Sequence, residues 1–175
     1  EMCIRDRLLI VMPREDDVNR RVATRYKPMF ESTSSLRKHL PDGRVDNLNI
    51  GKETILDNCI LYLAWAGSPA ALADNPVCYI ILDEVGKFPV KSGREADPVS
   101  LAKKRLRTFF SRSKLYCVST PVTEGDIIDR EYNAGDKRKW WVKCPHCGNY
   151  HVMVWANVKL DKAKNGGLLS PADYE

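Results

Sequence analysis

The sequence of 175 residues has no apolar run long enough to cross a membrane: Leu8–Met12 and Cys59–Ala66 fall far below the roughly 18 residues that a span requires. It has no cleavable signal sequence at its start and no internal repeat. It also lacks a disulfide framework. Of its six cysteines, at positions 3, 59, 78, 117, 144 and 147, only the last two have a diagnostic spacing, while Cys59, Cys78 and Cys117 lie in or beside apolar runs. That usage points to a reducing, intracellular compartment. No GxxxxGK[ST] string occurs either, since Asn49-Ile50-Gly51-Lys52-Glu53 has neither the first glycine nor a hydroxyl after its lysine. These residues therefore do not encode a loop of amides that cradles phosphates.

What is present fits one soluble domain with a real core. Hydrophobic content is 43%, and 28 Lys+Arg against 23 Asp+Glu leave a net charge of only +5. The charge is unevenly spread. Between Leu101 and Lys114 lie six basic residues, Lys103, Lys104, Arg105, Arg107, Arg112 and Lys114, and no acidic one, which makes nucleic acid a reasonable partner. A solvated helix face is the competing explanation.

Four short runs, Leu8–Met12, Cys59–Ala66, Tyr79–Asp83 and Leu115–Ser119, are nearly continuous in Ile, Leu, Val or Tyr, as expected of strands buried on both faces. Helix-compatible stretches alternate with them: Asp16–Phe30 with acids at its start, Ser68–Asp74, and Pro98–Ser111 with proline in its first turn and basic residues toward its end. The alternation predicts an α/β layer with a mainly parallel sheet. Residues 31–58, with Pro41-Asp42-Gly43 and Asn49-Ile50-Gly51, read as a loop or short-helix excursion. Beyond Pro121 come a polar helix near Asp126–Ala134 and a hairpin over Lys139–Trp155 bent around Cys144-Pro145-His146-Cys147-Gly148.

Three strings carry chemistry. Tyr79-Ile80-Ile81-Leu82-Asp83-Glu84 ends an apolar strand in adjacent carboxylates, at the edge where a parallel sheet presents its ligands. Asp83 would hold Mg²⁺, a hard cation that wants oxygen ligands, and Glu84 would orient or deprotonate an attacking water. A strand that simply ends in solvated acids is the alternative. Val118-Ser119-Thr120-Pro121 places hydroxyls at the end of a second strand, where they would sense a γ-phosphate or close a turn. Cys144 and Cys147 supply two thiolates at knuckle spacing, with Gly148 able to take the open backbone that turns amides toward sulfur. Zinc needs four ligands, there is no second CxxC, and His146 and His151 are the nearby substitutes. A thioredoxin-type CxxC would open a helix after a strand, so half of a structural zinc ribbon is preferred to redox chemistry. His39 lies in a polar loop and is read as surface.

Taken together, Trp65-Ala66-Gly67-Ser68-Pro69, Asn75-Pro76-Val77, Ile81-Leu82-Asp83-Glu84-Val85, Asp97-Pro98-Val99-Ser100-Leu101-Ala102-Lys103-Lys104-Arg105, Val118-Ser119-Thr120-Pro121, Asp129-Arg130-Glu131-Tyr132 and Lys143-Cys144-Pro145-His146-Cys147-Gly148 resemble the large terminase subunit of tailed phages, gpA type, over about Leu8 to Trp155. The resemblance implies a DNA-packaging motor with an ASCE-type P-loop NTPase domain followed by a metal-dependent nuclease. Such a motor uses ATP and Mg²⁺, and acts on double-stranded DNA at the portal with a small terminase subunit, as a homo-oligomer in the cytoplasm of the infected host cell. It further implies that Asp83 is the Walker B residue, Glu84 the catalytic glutamate and Ser119-Thr120-Pro121 the motif coupling hydrolysis to DNA movement. Lys103, Lys104, Arg105 and Arg107 become candidate DNA contacts. Gly86 departs from the pattern, which leads one to expect an acid there.

The expected organisation is a non-native leader over residues 1–7, a partial ATPase domain over 8–135 without its Walker A loop, and a zinc-ribbon-like hairpin with a truncated tail over 136–175. The chain is thus expected to be an internal piece of a longer protein, with Walker A upstream and the nuclease and second half-ribbon downstream. Two other classes remain: a helicase-like ASCE translocase, and a non-enzymatic zinc-ribbon module that binds nucleic acid. Continuation into a nuclease would distinguish the first, and salt-sensitive DNA binding with no nucleotide effect the second.

Overall fold

A computed structural model describes residues 6–40 and 53–154. The chain divides into two units, Glu1–Asn133 and Ala134–Glu175. In the first, strands β1 (Asp6–Met12), β2 (Glu53–Ile55), β3 (Cys59–Trp65), β4 (Tyr79–Asp83) and β5 (Lys114–Val118) form one five-stranded sheet in the order β2-β3-β1-β4-β5. The pairings β1–β3, β1–β4 and β4–β5 are parallel, and only β2 runs antiparallel, against β3. The α/β class and mainly parallel sheet expected from the alternation are therefore present, in an arrangement consistent with a P-loop-like fold. No helix among the described residues is long and apolar enough to cross a membrane.

Side chains alternate along β1, so the strand feeds two cores. Leu9 and Val11 join Ala64, Leu72, Ile80, Leu82, Val99 and Ala102 on the face covered by α4 (Pro69–Ala73) and α5 (Pro98–Lys104). Met12 joins Val18, Val22, Phe30, Leu61 and Leu63 under α1 (Glu15–Arg21) and α2 (Lys27–Ser32), with Leu8 and Ile10 packed beside them. Burial on both faces explains the unbroken apolar runs. β5 departs from that expectation. Its residues alternate between exposed and half-buried, with Tyr116 and Val118 in solvent, because it is the outer strand of the sheet.

Other expectations are met in part. The helix over Asp16–Phe30 is present and widens at Val22–Tyr26, where the Lys27 amide reaches back to the Val22 carbonyl. Pro28 follows at once and has no amide to continue the ordinary ladder, so the chain loosens before α2 restarts it. The helix over Pro98–Ser111 stops at Lys104, where the Arg105 carbonyl accepts from the Val77 amide (3.1 Å) and its guanidinium donates to the Ala73 carbonyl. The excursion over 31–58 contains a short helix, α3 (Ser34–Arg37), as expected, but also β2, which was not. Residues 41–52 lie outside the described residues, as do 1–5 of the expected leader. Asp6 and Arg7, assigned to that leader, belong to β1, in register with Cys59 and Ile60.

Candidate functional site

The carboxyl ends of β1, β3, β4 and β5 lie along one edge of the sheet. From β1 the chain crosses to β3 on one side and then to β4 on the other, and an α/β sheet opens its ligand crevice where the crossings diverge. Asp83 is the last residue of β4, in register with Val118 of β5. Glu84 follows in the left-handed region, at φ 57° and ψ 47°. A non-glycine residue there costs about 1–2 kcal/mol, a strain that tends to persist where function needs it. The chain leaves the strand at this turn, and the two acids stay close enough to share one guanidinium.

Arg21, the last residue of α1, lies against both. Its guanidinium donates from Nη1 to Asp83 Oδ2 and from Nη2 to Glu84 Oε1 at 3.3 Å. These side chains are partly shielded, at 24% exposure for Arg21, 23% for Asp83 and 37% for Glu84. Lys87 Nζ donates to the other Glu84 oxygen at 2.9 Å, and this bond chiefly holds the Glu84 carboxyl below the usual carboxylate range. Glu84 is therefore ionised at neutral pH, the state a base or water-orienting group requires. Tyr26 is half-buried within the electrostatic reach of Arg21 and Asp83, and its burial pushes the phenol up.

Sequence reasoning missed Arg21. Basic residues in a last helical turn have a sufficient local explanation in the helix dipole, and only the adjacency of β1 and β4 brings Arg21 to the acids.

Ser119 ties the two strand ends together. Its hydroxyl accepts from the Gly86 amide at 3.0 Å and donates to the Thr120 carbonyl at 3.2 Å. A Cβ on Gly86 would lie 3.0 Å from Ser119 Oγ and 3.4 Å from the Thr120 carbonyl oxygen, which accounts for glycine where an acid was expected. Gly86→Ala is expected to destabilise the fold by about 1–3 kcal/mol through overpacking. In a Ser119→Ala background, which removes the nearest atom, the penalty should shrink. Denaturant midpoints of the four proteins in that cycle check this; equal penalties in both backgrounds would place the strain elsewhere.

Comparison with known families decides what class of protein carries this edge. The family model of the phage terminase large subunit gpA, ATPase domain, matches residues 3–172. The chain belongs to that family. No curated protein and no solved structure matches it. The gpA terminase ATPases are phage DNA-packaging ATPases, so the family brings ATP and Mg²⁺ with it.

The donor set fits Mg²⁺ in the manner usual for ATPases. Among the described residues no group of three or more His, Cys, Asp or Glu could enclose a metal. Mg²⁺ needs no such cage, because one or two carboxylates, the substrate phosphates and water complete its shell. The Asp83–Glu84 pair already draws a cationic group, Arg21, onto its oxygens.

The terminase chain's basic run is not uniform. Lys103 Nζ lies 2.7 and 2.6 Å from the two oxygens of Glu131, tying α5 to α6 (Ile127–Ala134). Arg105 is half-buried on the Ala73 carbonyl, and Arg112 lies over the Phe109 ring and pairs with Asp6 at 3.0 Å. Lys104 and Arg107 are exposed.

The second unit contains the hairpin of β6 (Trp141–Lys143) and β7 (Tyr150–Val152), paired antiparallel. Trp155, at the far end of the expected hairpin, lies outside the described residues. At the turn the Cys144 amide donates to the Asn149 carbonyl (2.9 Å) and the Gly148 amide to the Cys144 carbonyl (3.0 Å), with Gly148 at φ 75°. The amides of Cys147 and His146 donate to the Cys144 sulfur and pull its thiol below the ordinary value. Cys144 and Cys147 are both free thiols.

Proposed function

We propose that this chain supplies the hydrolytic edge of a DNA-packaging motor, in which ATP hydrolysis at Asp83 and Glu84 is coupled to translocation of double-stranded DNA into a capsid. The observation that supports the reading is the pair of adjacent acids at the carboxyl edge of β4, Asp83 ending the strand and Glu84 in the left-handed turn that follows. Asp83 would hold Mg²⁺, which when bound neutralises developing charge on the phosphates. Glu84, ionised, would orient the attacking water and take its proton. The Ser119 hydroxyl on the Gly86 amide gives the coupling role of Ser119, Thr120 and Pro121 a physical basis, since a shift of the Glu84 turn pulls directly on the end of β5. The phosphate-cradling loop would come from sequence outside this chain, as would the nuclease. The small terminase subunit, the portal and neighbouring copies of the motor would be its partners in the infected cell's cytoplasm.

The test joins this chain to a GxxxxGK[ST] strand–loop–helix within one terminase subunit. The joined protein should hydrolyse ATP in a Glu84-dependent manner, and the chain alone should not exceed background, because without the loop no γ-phosphate is positioned. Turnover by the isolated chain that Glu84→Gln abolishes would overturn the reading.

For DNA, Lys104 and Arg107 are the cleaner candidates of the four predicted contacts, because Lys103 and Arg105 already have protein partners. Charge reversal at Lys104 and Arg107 should weaken binding to all sequences alike and lower the salt slope by about 1 for each phosphate no longer neutralised. An unchanged slope assigns both to the solvated surface.

For the hairpin, the amides on the Cys144 sulfur favour half of a structural zinc ribbon built on Cys144 and Cys147, since they stabilise the thiolate that zinc requires.

A further inference from the structure

Arg21 contacts both acids of the carboxylate edge, and the function above gives it no task. It reaches the pair from another element: α1 follows β1, whereas the acids end β4, 62 residues later for Asp83. The contact is two-pronged, one guanidinium nitrogen on each acid, and about three-quarters of the Arg21 side chain is shielded. Two neighbouring charged residues, Asp17 and Lys87, are already paired. Asp17, buried in the same helix, takes Arg14 at 3.2 Å and Arg20 at 3.0 Å, and Lys87 takes the second Glu84 oxygen. Arg21 is thus committed to Asp83 and Glu84.

We propose that Arg21 is a positioning residue that bridges Asp83 and Glu84 and competes with a divalent cation for Asp83. The proposal rests on the assignment of Asp83 as the cation's ligand. Asp83 Oδ2 carries the Nη1 contact, and a divalent cation held by this carboxylate would lie beside that guanidinium. Two positive groups on one partly shielded carboxylate repel, so the guanidinium and the ion compete. While Arg21 is in place, the binding-competent fraction is small and apparent cation affinity falls by that fraction. Once displaced, Arg21 remains at the crevice with free donors, in a fork suited to phosphate oxygens. Arg21 therefore offsets the repulsion between the two acids, and cation entry changes the side chain that spans α1 and β4.

The test uses Mn²⁺ as the probe and the 175-residue chain itself, with free Mn²⁺ followed by electron paramagnetic resonance. Arg21→Gln should bind Mn²⁺ roughly tenfold more tightly than the parent if Arg21 occupies the pair about nine-tenths of the time. Arg21→Lys, which keeps the charge, should gain much less, and adding Asp83→Asn to Arg21→Gln should abolish the gain. Circular dichroism checks that each variant folds. A second measurement needs no variant: the Arg21 Nε–H resonance of the parent should shift as Mg²⁺ is added. Affinity unchanged in Arg21→Gln but lowered by Asp83→Asn would overturn the proposal and leave Asp83 as the ligand. Binding indifferent to Asp83 would overturn both.

Discussion

Glu84→Gln is expected to lower ATP turnover by about 10²–10⁴-fold in a terminase subunit that contains this chain and a phosphate-binding loop, the range typical for removal of a general base. Nucleotide affinity should change little, because the amide keeps the size and one acceptor oxygen of the acid while losing only its charge and basicity. The substitution also keeps the left-handed backbone at residue 84, so it does not alter strain in the way that glycine would. One of the two donors, Lys87 or Arg21, loses its acceptor, but the Glu84 side chain is 37% exposed and water can replace that contact. Loss of turnover with binding retained is therefore attributable to the reacting water. Single-turnover hydrolysis beside equilibrium nucleotide binding reads the two effects separately.

The second large effect concerns zinc. A protein extended beyond Glu175 to bring in a second cysteine pair is expected to hold stoichiometric, chelator-resistant zinc. The 175-residue chain should bind it weakly or bridge it between molecules. Two thiolates fill half of a tetrahedron, and a closed structural site contributes apparent free energy on the order of 10–16 kcal/mol at neutral pH. One side of such a site would draw on Gly148 at positive φ and the amides on the Cys144 sulfur. Cys144→Ser should abolish the tight site in the extended protein. Elemental analysis that finds tight zinc in the monomeric 175-residue chain would instead assign the remaining ligands to His146 or His151.

Strands buried on both faces were legible to within a residue or two, because β1, β3 and β4 each need apolar side chains in both directions and so leave unbroken runs. The Asp83–Glu84 pair was visible for a related reason, as an abrupt change from apolar to charged where the strand emerges. β2 has three residues and exists through its pairing with β3, so no local pattern announces it. The partners that occupy Lys103 and Arg105 are 28 and 32 residues away, and nothing near those positions distinguishes them from Lys104 and Arg107. Arg21 was hidden in the same way, by a contact that depends on strand order. Gly86 looked like a departure from the family pattern until the approach of Ser119 gave it a cause.

The most direct test of the division of labour between the two acids is a Mg²⁺ titration of ATP turnover in one terminase subunit, with Asp83→Ala and Glu84→Gln side by side. Asp83→Ala should raise the Mg²⁺ concentration for half-maximal turnover by about tenfold or more, the scale on which disturbing a metal's ligand set changes affinity. Glu84→Gln should leave that concentration near the parental value and lower only the plateau. Parental turnover and Mg²⁺ dependence in both variants would contradict the assignment of this edge as the hydrolytic centre.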